Sequence, residues 1–335
     1  MKAIVWTAYG PPEVLQLKEV EKPVPKDNEV LIKILAATVT AGDCEQRSLK
    51  LPLLFNLPMR LYVGIKRPTR ITILGMDLSG EIESVGKDVR LFIEGDQIFA
   101  TTGFTNMGAY AEYICLPEEP KEGALATKPP SMTYEEAAGV PTGGLEALHF
   151  IRKGNIQPGQ KVLINGAGGT IGTFAIQLAK HFGAEVTGVD STRKLDIMHS
   201  IGADKVIDYT QEDFTKRGEN YDVILDVAGK SSYSGSLRLL KQNGRYLLAN
   251  PRLSQMIRGP WTSMTSSKKV IFGATDQNTE NLIYLRGLIG AGELKSVIDR
   301  RYPLEQAAEA HRYVETGQKI GNVVLTMGHN DKPDK

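Results

Sequence analysis

Short apolar runs separated by turn residues dominate the first third of the chain. The runs cover 30–35, 80–85, 97–100 and 109–116. Strands of this length and spacing are typical of a small β-barrel. Between the first two runs lies the segment 49–73, which is apolar, basic and interrupted by prolines. Two interpretations fit this segment equally: a lid or wall over a pocket, and a helical excursion that only packs on the barrel.

The hydrophobic pattern changes near residue 134, where apolar residues begin to recur at helical spacing. Helices are predicted over 134–140 and 144–151, and an alternation of strands and helices follows. The predicted strands are 162–164, 185–189, 205–207, 222–227, 244–248 and 269–272. A complete doubly wound parallel sheet has six strands with interleaved helices, which is the number predicted here. The middle of the chain is therefore predicted to be an α/β domain.

The end of the chain has a third pattern. Beyond residue 275 the sequence predicts a helix over 280–289, an amphipathic helix over 304–314 and a strand over 322–326. That last strand needs a partner, and the N-terminal barrel is the obvious host. The doubly wound domain is thus predicted to be inserted in the barrel domain. The predicted limits are 1–125 and 276–335 for the barrel domain and 126–275 for the inserted one.

A glycine-rich turn joins the first strand of the inserted domain to a helix. Its glycines, Gly166, Gly169 and Gly172, follow G-x-x-G-x-x-G, whereas the strict dinucleotide-binding pattern would place its last glycine at Ile171. In such a turn the first glycine permits the bend, the second lets backbone N–H groups approach a pyrophosphate, and the third lets the helix pack closely. The acid Asp190 ends the next strand, where a ribose contact is expected. An ordinary strand–helix turn is the alternative, but strand, helix and acid together favour a dinucleotide site.

Composition narrows the class of protein. The chain has 335 residues, of which 41% are apolar and 24% charged, and this is typical of a globular protein with two domains. Its formal net charge of +1 does not indicate nucleic acid or an anionic membrane as the main partner. The N-terminus does not resemble a signal peptide, and no apolar run reaches the roughly 20 residues of a membrane span. With only Cys44 and Cys115, no disulfide framework is expected, and a cytoplasmic location is predicted.

Several longer segments resemble one protein family. They are MKAIVWTAYGPPEVLQLKEVEKPVP, LGMDLSGEIESVGKDV, GAYAEY, GQKVLINGAGGTIG, GADKVIDY and YPLEQAAEAHRYVETGQKIGNVVL, and they extend over nearly the whole chain. On these segments the chain resembles the medium-chain dehydrogenase/reductase superfamily, above all its zinc-independent quinone oxidoreductase branch, although Thr170 stands where that branch has a glycine. The resemblance implies a Rossmann sheet inserted in a GroES-like catalytic domain. It also implies hydride transfer from NAD(P)H to a quinone or an α,β-unsaturated carbonyl compound.

The resemblance also bears on zinc. Zinc-containing relatives have a cysteine ligand where this chain has Thr40, and their Gly-His-Glu ligand segment is Gly75-Met76-Asp77 here. Their structural lobe with four cysteines has no counterpart in this sequence. The five histidines, at 149, 181, 199, 311 and 329, are scattered without the spacing of metal ligands. We therefore expect no bound metal.

Without zinc the acceptor must already be activated, and hydrogen-bond donors must stabilise the enolate that forms. The resemblance places the segment with Thr40 and Asp43 beside the nicotinamide. Thr40 is a candidate to bond a substrate oxygen or the nicotinamide ribose, and an ordinary strand-end residue is the alternative. Asp43 is a catalytic candidate, although a structural ion pair with Arg47 is the favoured interpretation. Tyr62 is a candidate proton donor, with simple packing as the alternative.

The sequence leaves the choice between NAD and NADP open. Asp190 would accept both ribose hydroxyls of NAD and repel the 2′-phosphate of NADP, whereas Arg193 could pair with that phosphate. Relatives place a threonine against the nicotinamide where this chain has Glu146, and Thr142 is expected to substitute for it in part. Cofactor contacts are predicted for Thr142, Gly166, Gly169, Thr170, Ile171, Gly172, Asp190, Ser191, Arg193, Tyr209, Val227 and Asn250.

Three functions compete at this point. The leading hypothesis is a zinc-independent NAD(P)H-dependent oxidoreductase that acts on quinones or on enones and enals. The alternatives are an NAD(P)-dependent alcohol dehydrogenase or carbonyl reductase, and a non-catalytic NAD(P)H-binding redox sensor. A homodimer is also expected, because 269–272 would otherwise leave an apolar strand edge exposed. The resemblance implies that this strand pairs with its copy across a two-fold axis.

Overall fold

The computed structural model describes residues 1–49, 53–103 and 106–329, and for 53–55 only the backbone. In chain order its strands are β1 (Lys2–Trp6), β2 (Leu15–Glu19), β3 (Glu29–Val39), β4 (Asp77–Val85), β5 (Gln97–Thr101), β6 (Tyr113–Pro117), β7 (Ala124–Thr127), β8 (Lys161–Asn165), β9 (Glu185–Asp190), β10 (Lys205–Asp208), β11 (Tyr221–Asp226), β12 (Leu240–Leu248), β13 (Lys269–Ile271), β14 (Ile298–Pro303) and β15 (Asn322–Thr326). Its α-helices are α1 (Ala41–Ser48), α2 (Leu53–Val63), α3 (Tyr134–Ala138), α4 (Pro141–Gly154), α5 (Thr170–His181), α6 (Leu195–Ser200), α7 (Tyr233–Leu239), α8 (Leu253–Thr265), α9 (Thr279–Gly290) and α10 (Ala307–Glu315). Within this described part of the chain, none of the helices has the length and apolar content needed to cross a membrane.

The chain forms two compact units. The first consists of Met1–Thr142, Gln277–Gly290 and Ser296–Lys335, and the second of Gly143–Asp276 and Ala291–Lys295. Along the chain, the second unit is therefore inserted in the first. The boundary near residue 142 lies inside α4. The domain limits drawn from the sequence at 125 and 275 stay a prediction.

A seven-stranded sheet forms the framework of the first unit. Its order is β14-β15-β3-β4-β5-β7, with β6 paired to β3. β15 runs antiparallel to β3, with Val323 opposite Val39 and Thr326 opposite Ala36. The prediction that the last strand pairs with the N-terminal strands is therefore confirmed. β14 was not predicted, because its sequence is polar and its middle residues, Arg300 and Arg301, are exposed.

Helix α2 occupies the middle of the segment 49–73, so that part of the segment is helical. Val63 is fully buried, and the partly buried Met59 and Tyr62 pack against the core of the first unit. Pro58 lies inside the helix. Residues 50–52 lie outside the described part of the chain, and a role for the segment as a lid stays a prediction.

Six parallel strands form the sheet of the second unit, in the order β10-β9-β8-β11-β12-β13. Counted from β8 this is the strand order 3-2-1-4-5-6 of the doubly wound dinucleotide-binding fold, so the predicted fold class is confirmed. The winding reverses between β8 and β11, where ligands of such folds bind outside the carboxyl ends of the strands. β12 begins earlier than the predicted residue 244, because its first residues after Leu240 are polar and exposed and gave no apolar signal.

The turn between β8 and α5 requires glycine at two positions. Gly166 has φ = 86°, a value that favours glycine, and its N–H donates to the carbonyl of Val189 at 2.9 Å. A Cβ on Gly172 would lie 2.5 Å from Cα of Ala167 and closer still to the carbonyl oxygen of Gly166. Helix α5 therefore packs directly on the backbone of the turn, which is the role expected of the third glycine.

Replacing Gly172 by alanine tests this close packing. Because the added Cβ meets backbone atoms, which cannot rotate away, we expect the free energy of unfolding to fall by about 1–3 kcal/mol. The matched control is Gly287→Ala in α9, where a Cβ would have open space around it. Alanine in that helix should raise the free energy of unfolding by about 0.5–1 kcal/mol. Urea unfolding measures both changes, and a Gly172→Ala protein as stable as the parent would contradict the contact.

Candidate functional site

The carboxyl ends of the strands in the second unit bring several predicted cofactor residues together. The N–H of Val227, just after β11, donates to the carbonyl of Asn165 at 2.9 Å. Nδ2 of Asn250, just after β12, donates to the carbonyl of Val227 at 2.9 Å. A Cβ on Gly166 would lie 3.1 Å from the backbone nitrogen of Ala228. The turns that follow β8, β11 and β12 are therefore in direct contact.

The glycine-rich turn has an open face at the start of α5. Gly169 is the N-cap of α5 and brings no side chain to cap the helix. A Cβ on Gly169 would have only the carbonyl oxygen of Gly166 nearby, at 3.6 Å. The unpaired N–H groups in the first turn of a helix favour a bound anion, and in α5 this turn consists of Thr170, Ile171 and Gly172. This turn therefore fits the pyrophosphate of a dinucleotide.

Asp190 braces the same turn from the end of β9. The residue is 5% exposed, and its carboxylate accepts the N–H groups of Gly168 and Ser191, each at 2.9 Å. Nζ of Lys194 lies 3.1 Å from Oδ1 of this carboxylate, and both side chains are buried. The predicted ribose ligand thus also anchors the phosphate turn, with its charge offset by a lysine. Sequence reasoning missed this pair, although a spacing of four residues was a signal for it.

Three further predicted residues lie at the ends of β9 and β10. The N–H of Tyr209 donates to the backbone carbonyl of Asp190 at 3.1 Å, and the tyrosine is 57% exposed. Ser191 is half-buried, and Arg193 is exposed. The second unit therefore carries these three residues at the same edge of its sheet as the glycine-rich turn.

A second buried carboxylate, which sequence reasoning also missed, braces the loop after β11. Asp226 is fully buried. Its oxygens accept hydrogen bonds from Nδ2 of Asn165 at 2.9 Å, from the N–H of Gly229 at 2.9 Å and from the hydroxyl of Tyr246 at 3.0 Å. These bonds tie the loop to β8 and β12. Its position at the end of an apolar strand was the only signal in the sequence.

In the first unit, Thr40 and Asp43 form the cap of α1. The Thr40 hydroxyl donates to Oδ2 of Asp43 at 2.6 Å, and the Asp43 N–H donates to the Thr40 hydroxyl oxygen at 3.2 Å. Asp43 is fully buried, and this burial raises the pKa of its carboxyl above the usual value. The hydrogen of the Thr40 hydroxyl is thus engaged, while its oxygen can accept a further hydrogen bond.

The expected ion pair between Asp43 and Arg47 is wrong. The guanidinium of Arg47 pairs with the carboxylate of Glu315 in α10 and donates to the carbonyl of Gly10 at 3.1 Å. Both Asp43 and Arg47 are buried, and their polar contacts go to different parts of the fold. Asp43 turns back to Thr40 at the start of α1, whereas Arg47 contacts the C-terminal helix.

Thr142 is hydrogen-bonded inside the first unit. Its hydroxyl donates to Oδ1 of Asp77 at 2.6 Å. Burial raises the pKa of the Asp77 carboxyl to about 7, although hydrogen bonds from Thr142 and Thr101 act in the opposite direction. A cofactor contact by Thr142, which stays a prediction, would therefore use its hydroxyl oxygen as an acceptor.

Tyr62 lies near the end of α2 and is partly buried against the core of the first unit. The guanidinium of Arg70 stacks on its ring at 4.2 Å. The structure thus gives Tyr62 a packing role, and its role as a proton donor stays a prediction.

Glu146 belongs to the part of α4 that lies in the second unit. Burial raises the pKa of its carboxyl to about 7. This acid is therefore partly protonated near neutral pH, at the position where the family resemblance expects a threonine beside the nicotinamide.

Among the residues that the structure describes, no three histidine, cysteine or carboxylate side chains are grouped as metal ligands are. Sγ of Cys44 lies 3.2 Å from Nδ1 of His311, and both residues are buried. Burial raises the pKa of the Cys44 thiol and lowers the pKa of His311 to about 3. Both groups are therefore neutral near pH 7, and they form a packed contact of the core.

Comparison with known proteins gives a consistent result. The family model described as zinc-binding dehydrogenase matches residues 201–325, and that of the alcohol dehydrogenase GroES-like domain matches 26–129. The chain is 32% identical to 2-methylene-furan-3-one reductase of Solanum lycopersicum, over 97% of this chain and 79% of that protein. The quinone oxidoreductase structure from Coxiella burnetii has a TM-score of 0.86 at 30% identity, covering 97% of this chain and 99% of that one. The Escherichia coli quinone oxidoreductase complexed with NADPH has a TM-score of 0.81 at 25% identity, covering 97% and 100%.

These matches extend over almost the whole chain and include both the GroES-like unit and the dinucleotide-binding unit. They agree with the strand order of the second unit and with the resemblance found in the sequence. The chain therefore belongs to the medium-chain dehydrogenase/reductase superfamily, in its zinc-independent quinone oxidoreductase-like branch.

Proposed function

We propose that this protein transfers a hydride from NAD(P)H to a quinone or to an α,β-unsaturated carbonyl compound, without zinc. The observation that carries this proposal is the open glycine-rich turn at the N-terminus of α5, where the winding of the parallel sheet reverses. The relatives support the proposed acceptors, since one is a 2-methylene-furan-3-one reductase and another a quinone oxidoreductase complexed with NADPH.

The residues of the second unit bind and orient the cofactor in this proposal. The cofactor, when bound, supplies the hydride. The backbone N–H groups that follow Gly169 hold the pyrophosphate, and a Cβ on Gly169 itself would contact only the carbonyl oxygen of Gly166, at 3.6 Å. Asp190, Ser191 and Arg193 border the adenosine ribose, and Val227 and Asn250 line the next turn along the sheet.

Thr40, Asp43 and Tyr62 are the proposed residues on the substrate side. The hydrogen of the Thr40 hydroxyl is bonded to Asp43, so we assign Thr40 to accept a hydrogen bond from the nicotinamide ribose. Asp43 then positions Thr40 and does not itself exchange a proton. Tyr62 is the proposed donor of the proton that converts the enolate, formed when hydride adds to an enone, into the saturated carbonyl compound.

A cofactor-oxidation screen tests the reaction. We expect turnover of quinones and enones with NADPH or NADH, unchanged by a chelator, and no turnover of simple alcohols with the oxidised cofactors. Gly169→Val should abolish cofactor binding, measured by fluorescence titration, without lowering the melting temperature. A side chain at this position has room in the fold but blocks the approach of a pyrophosphate.

The other outcomes of the screen separate the competing functions. Turnover of simple alcohols in the presence of the chelator would favour an alcohol dehydrogenase. Tight NADPH binding without turnover of any acceptor would favour a redox sensor. Cofactor binding by Gly169→Val equal to that of the parent would show that the turn does not hold the pyrophosphate.

For cofactor specificity we propose that the protein accepts both NADH and NADPH. The charge of Asp190 faces its own ion-pair partner Lys194, so its repulsion of a 2′-phosphate is weakened. The exposed Arg193 lies three residues further along the chain and can approach a phosphate at this edge of the sheet.

Replacing Asp190 by serine should change the preference and the stability together. We expect the ratio of NADPH to NADH affinity to rise by an amount on the order of 1–3 kcal/mol, because a negative charge is removed beside the 2′-position. The free energy of unfolding should fall by about 3–5 kcal/mol, since the buried ion pair between Asp190 and Lys194 is lost. The double variant Asp190→Ser/Lys194→Ser is the control and should recover stability but lose most of the gain for NADPH. An unchanged affinity ratio in the single variant would refute the assignment.

We also propose a homodimer, with α8 beside the two-fold axis. Four exposed apolar residues recur along one face of α8: Leu253, Ile257, Trp261 and Met264, at 49%, 70%, 70% and 82% exposure. The N–H of Val270 in the edge strand β13 donates to the hydroxyl of Ser263 in α8 at 2.9 Å. Part of the strand edge is therefore already covered, and the apolar face of α8 becomes the larger surface that needs a partner.

Sedimentation of a Trp261→Glu variant tests this interface. The parent should sediment at twice the 36.7 kDa mass of the chain, whereas the variant should be a monomer at micromolar concentration. A buried carboxylate without a partner cannot be accommodated in an apolar interface. Ile283→Glu in α9, also an exposed apolar position, is the control and should leave the dimer intact. A monomeric parent would refute the proposal, and so would a Trp261→Glu dimer.

A further inference from the structure

Helix α2 and the turn after it expose three large apolar side chains. Leu57, Leu61 and Ile65 are 59%, 66% and 65% exposed. Leu57 and Leu61 are separated by one helical turn, so they share a face of the helix. Neither the proposed cofactor site nor the proposed catalytic residues give these side chains a function.

Leu57, Leu61 and Ile65 are called the apolar stripe below. Its two helical residues, Leu57 and Leu61, point away from the core of the first unit. Met59, Tyr62 and Val63 face that core. Successive helical residues are about 100° apart, which places Leu57 and Leu61 on the opposite side of the helix. Leucines at these two positions contribute little to the packing of the unit.

Basic residues flank the stripe. Between Glu45 and Asp77 the sequence has six basic residues and no acidic one. Lys66, Arg67 and Arg70 follow Ile65 closely, and all three are exposed. Although the net charge of the whole chain is only +1, the charged side chains of this segment are all positive.

The turn that carries these charges is folded back on the end of α2. The N–H groups of Thr69 and Arg70 donate to the carbonyl of Val63 at 2.9 and 3.0 Å. The guanidinium of Arg60 donates to the carbonyl of Ile65 at 2.8 Å. These bonds keep the basic residues next to the apolar stripe, so that both can meet one surface.

We propose that α2 and the turn to Arg70 form a docking surface for an anionic lipid bilayer. An apolar stripe rimmed by lysine and arginine is the pattern of a helix that lies in the interface of a membrane. Leu57, Leu61 and Ile65 enter the boundary between headgroups and acyl chains, while Lys66 and Arg67 pair with lipid phosphates.

The charges at this surface favour a lipid over the other occupants. A second copy of the chain, docked through the same segment, would bring two sets of basic residues and no acidic residue into one interface, because a two-fold interface uses the same patch on both subunits. Such a pairing of like charges is unfavourable. An acidic protein is the remaining competitor, and the experiment separates it from a bilayer.

Co-sedimentation with lipid vesicles tests the proposal on the whole protein. The parent should bind vesicles of equal parts phosphatidylglycerol and phosphatidylcholine, bind pure phosphatidylcholine much less, and be released by high salt. Lys66→Glu/Arg67→Glu should lower the partition coefficient by at least about 20-fold, since each basic residue contributes about fivefold. Leu57→Ser/Leu61→Ser should lower it by more than about tenfold.

Matched variants keep the test specific. Leu91→Ser/Ile93→Ser changes two other exposed apolar residues of the first unit, and Lys18→Glu/Lys121→Glu reverses two other exposed lysines. Both controls should bind vesicles like the parent, and all variants should keep its NADPH affinity and melting temperature. Equal binding to anionic and neutral vesicles would overturn the proposal. So would vesicle binding that survives the α2 variants, or a surface that binds polyglutamate but no vesicle. None of these readouts depends on turnover, so they can fail independently of the proposed reaction.

Discussion

The buried carboxylate of Asp190 braces the glycine-rich turn on which the proposed cofactor binding depends. Three glycines make that turn flexible in the unfolded chain, and they supply no side chains to hold it once folded. Its order comes from the neighbouring strand β9. The carbonyl of Val189 accepts the N–H of Gly166, and the Asp190 carboxylate accepts the N–H of Gly168. The start of α5 is therefore aimed by groups outside the turn, and the same carboxylate forms a buried ion pair with Lys194.

A buried carboxylate also holds the loop on the other side of β8. Asp226, at the end of β11, accepts an N–H from Gly229 in the following loop and the side-chain amide of Asn165 from β8. β9 and β11 are the two neighbours of β8 in the sheet, so carboxylates stand on both sides of the strand that leads into the phosphate turn. Loops at the end of a parallel sheet leave backbone N–H groups unpaired, and a buried carboxylate can collect several of them.

The sequence predicted what depends on local pattern. The last strand, 322–326, has its predicted limits, because its apolar run is bounded by polar residues on both sides. Strand β14 was missed, since its pairing with β15 comes from register and not from hydrophobicity. The predicted partner of Arg47 was Asp43, four residues away, a spacing at which side chains meet on the surface of a helix. In the structure that partner is Glu315, 268 residues away, and no local pattern could have indicated it.

Thr40 and Asp77 occupy positions that the resemblance associates with zinc ligands in related enzymes. In this chain each of them takes part in a hydrogen bond between a threonine hydroxyl and a buried carboxyl group. Thr40 bonds Asp43, and Asp77 accepts the hydroxyl of Thr142. In each pair a threonine hydroxyl donates to a buried carboxyl group whose pKa is raised by burial. Both carboxyl groups thus have a hydrogen-bonded partner inside the unit. Because both threonine hydrogens are engaged, these side chains can accept hydrogen bonds from a ribose or an amide but are poorly placed to polarise a carbonyl. We therefore propose that the proton that completes the reaction comes from a group outside these two pairs, and the hydroxyl of Tyr62 has that role in the proposed mechanism.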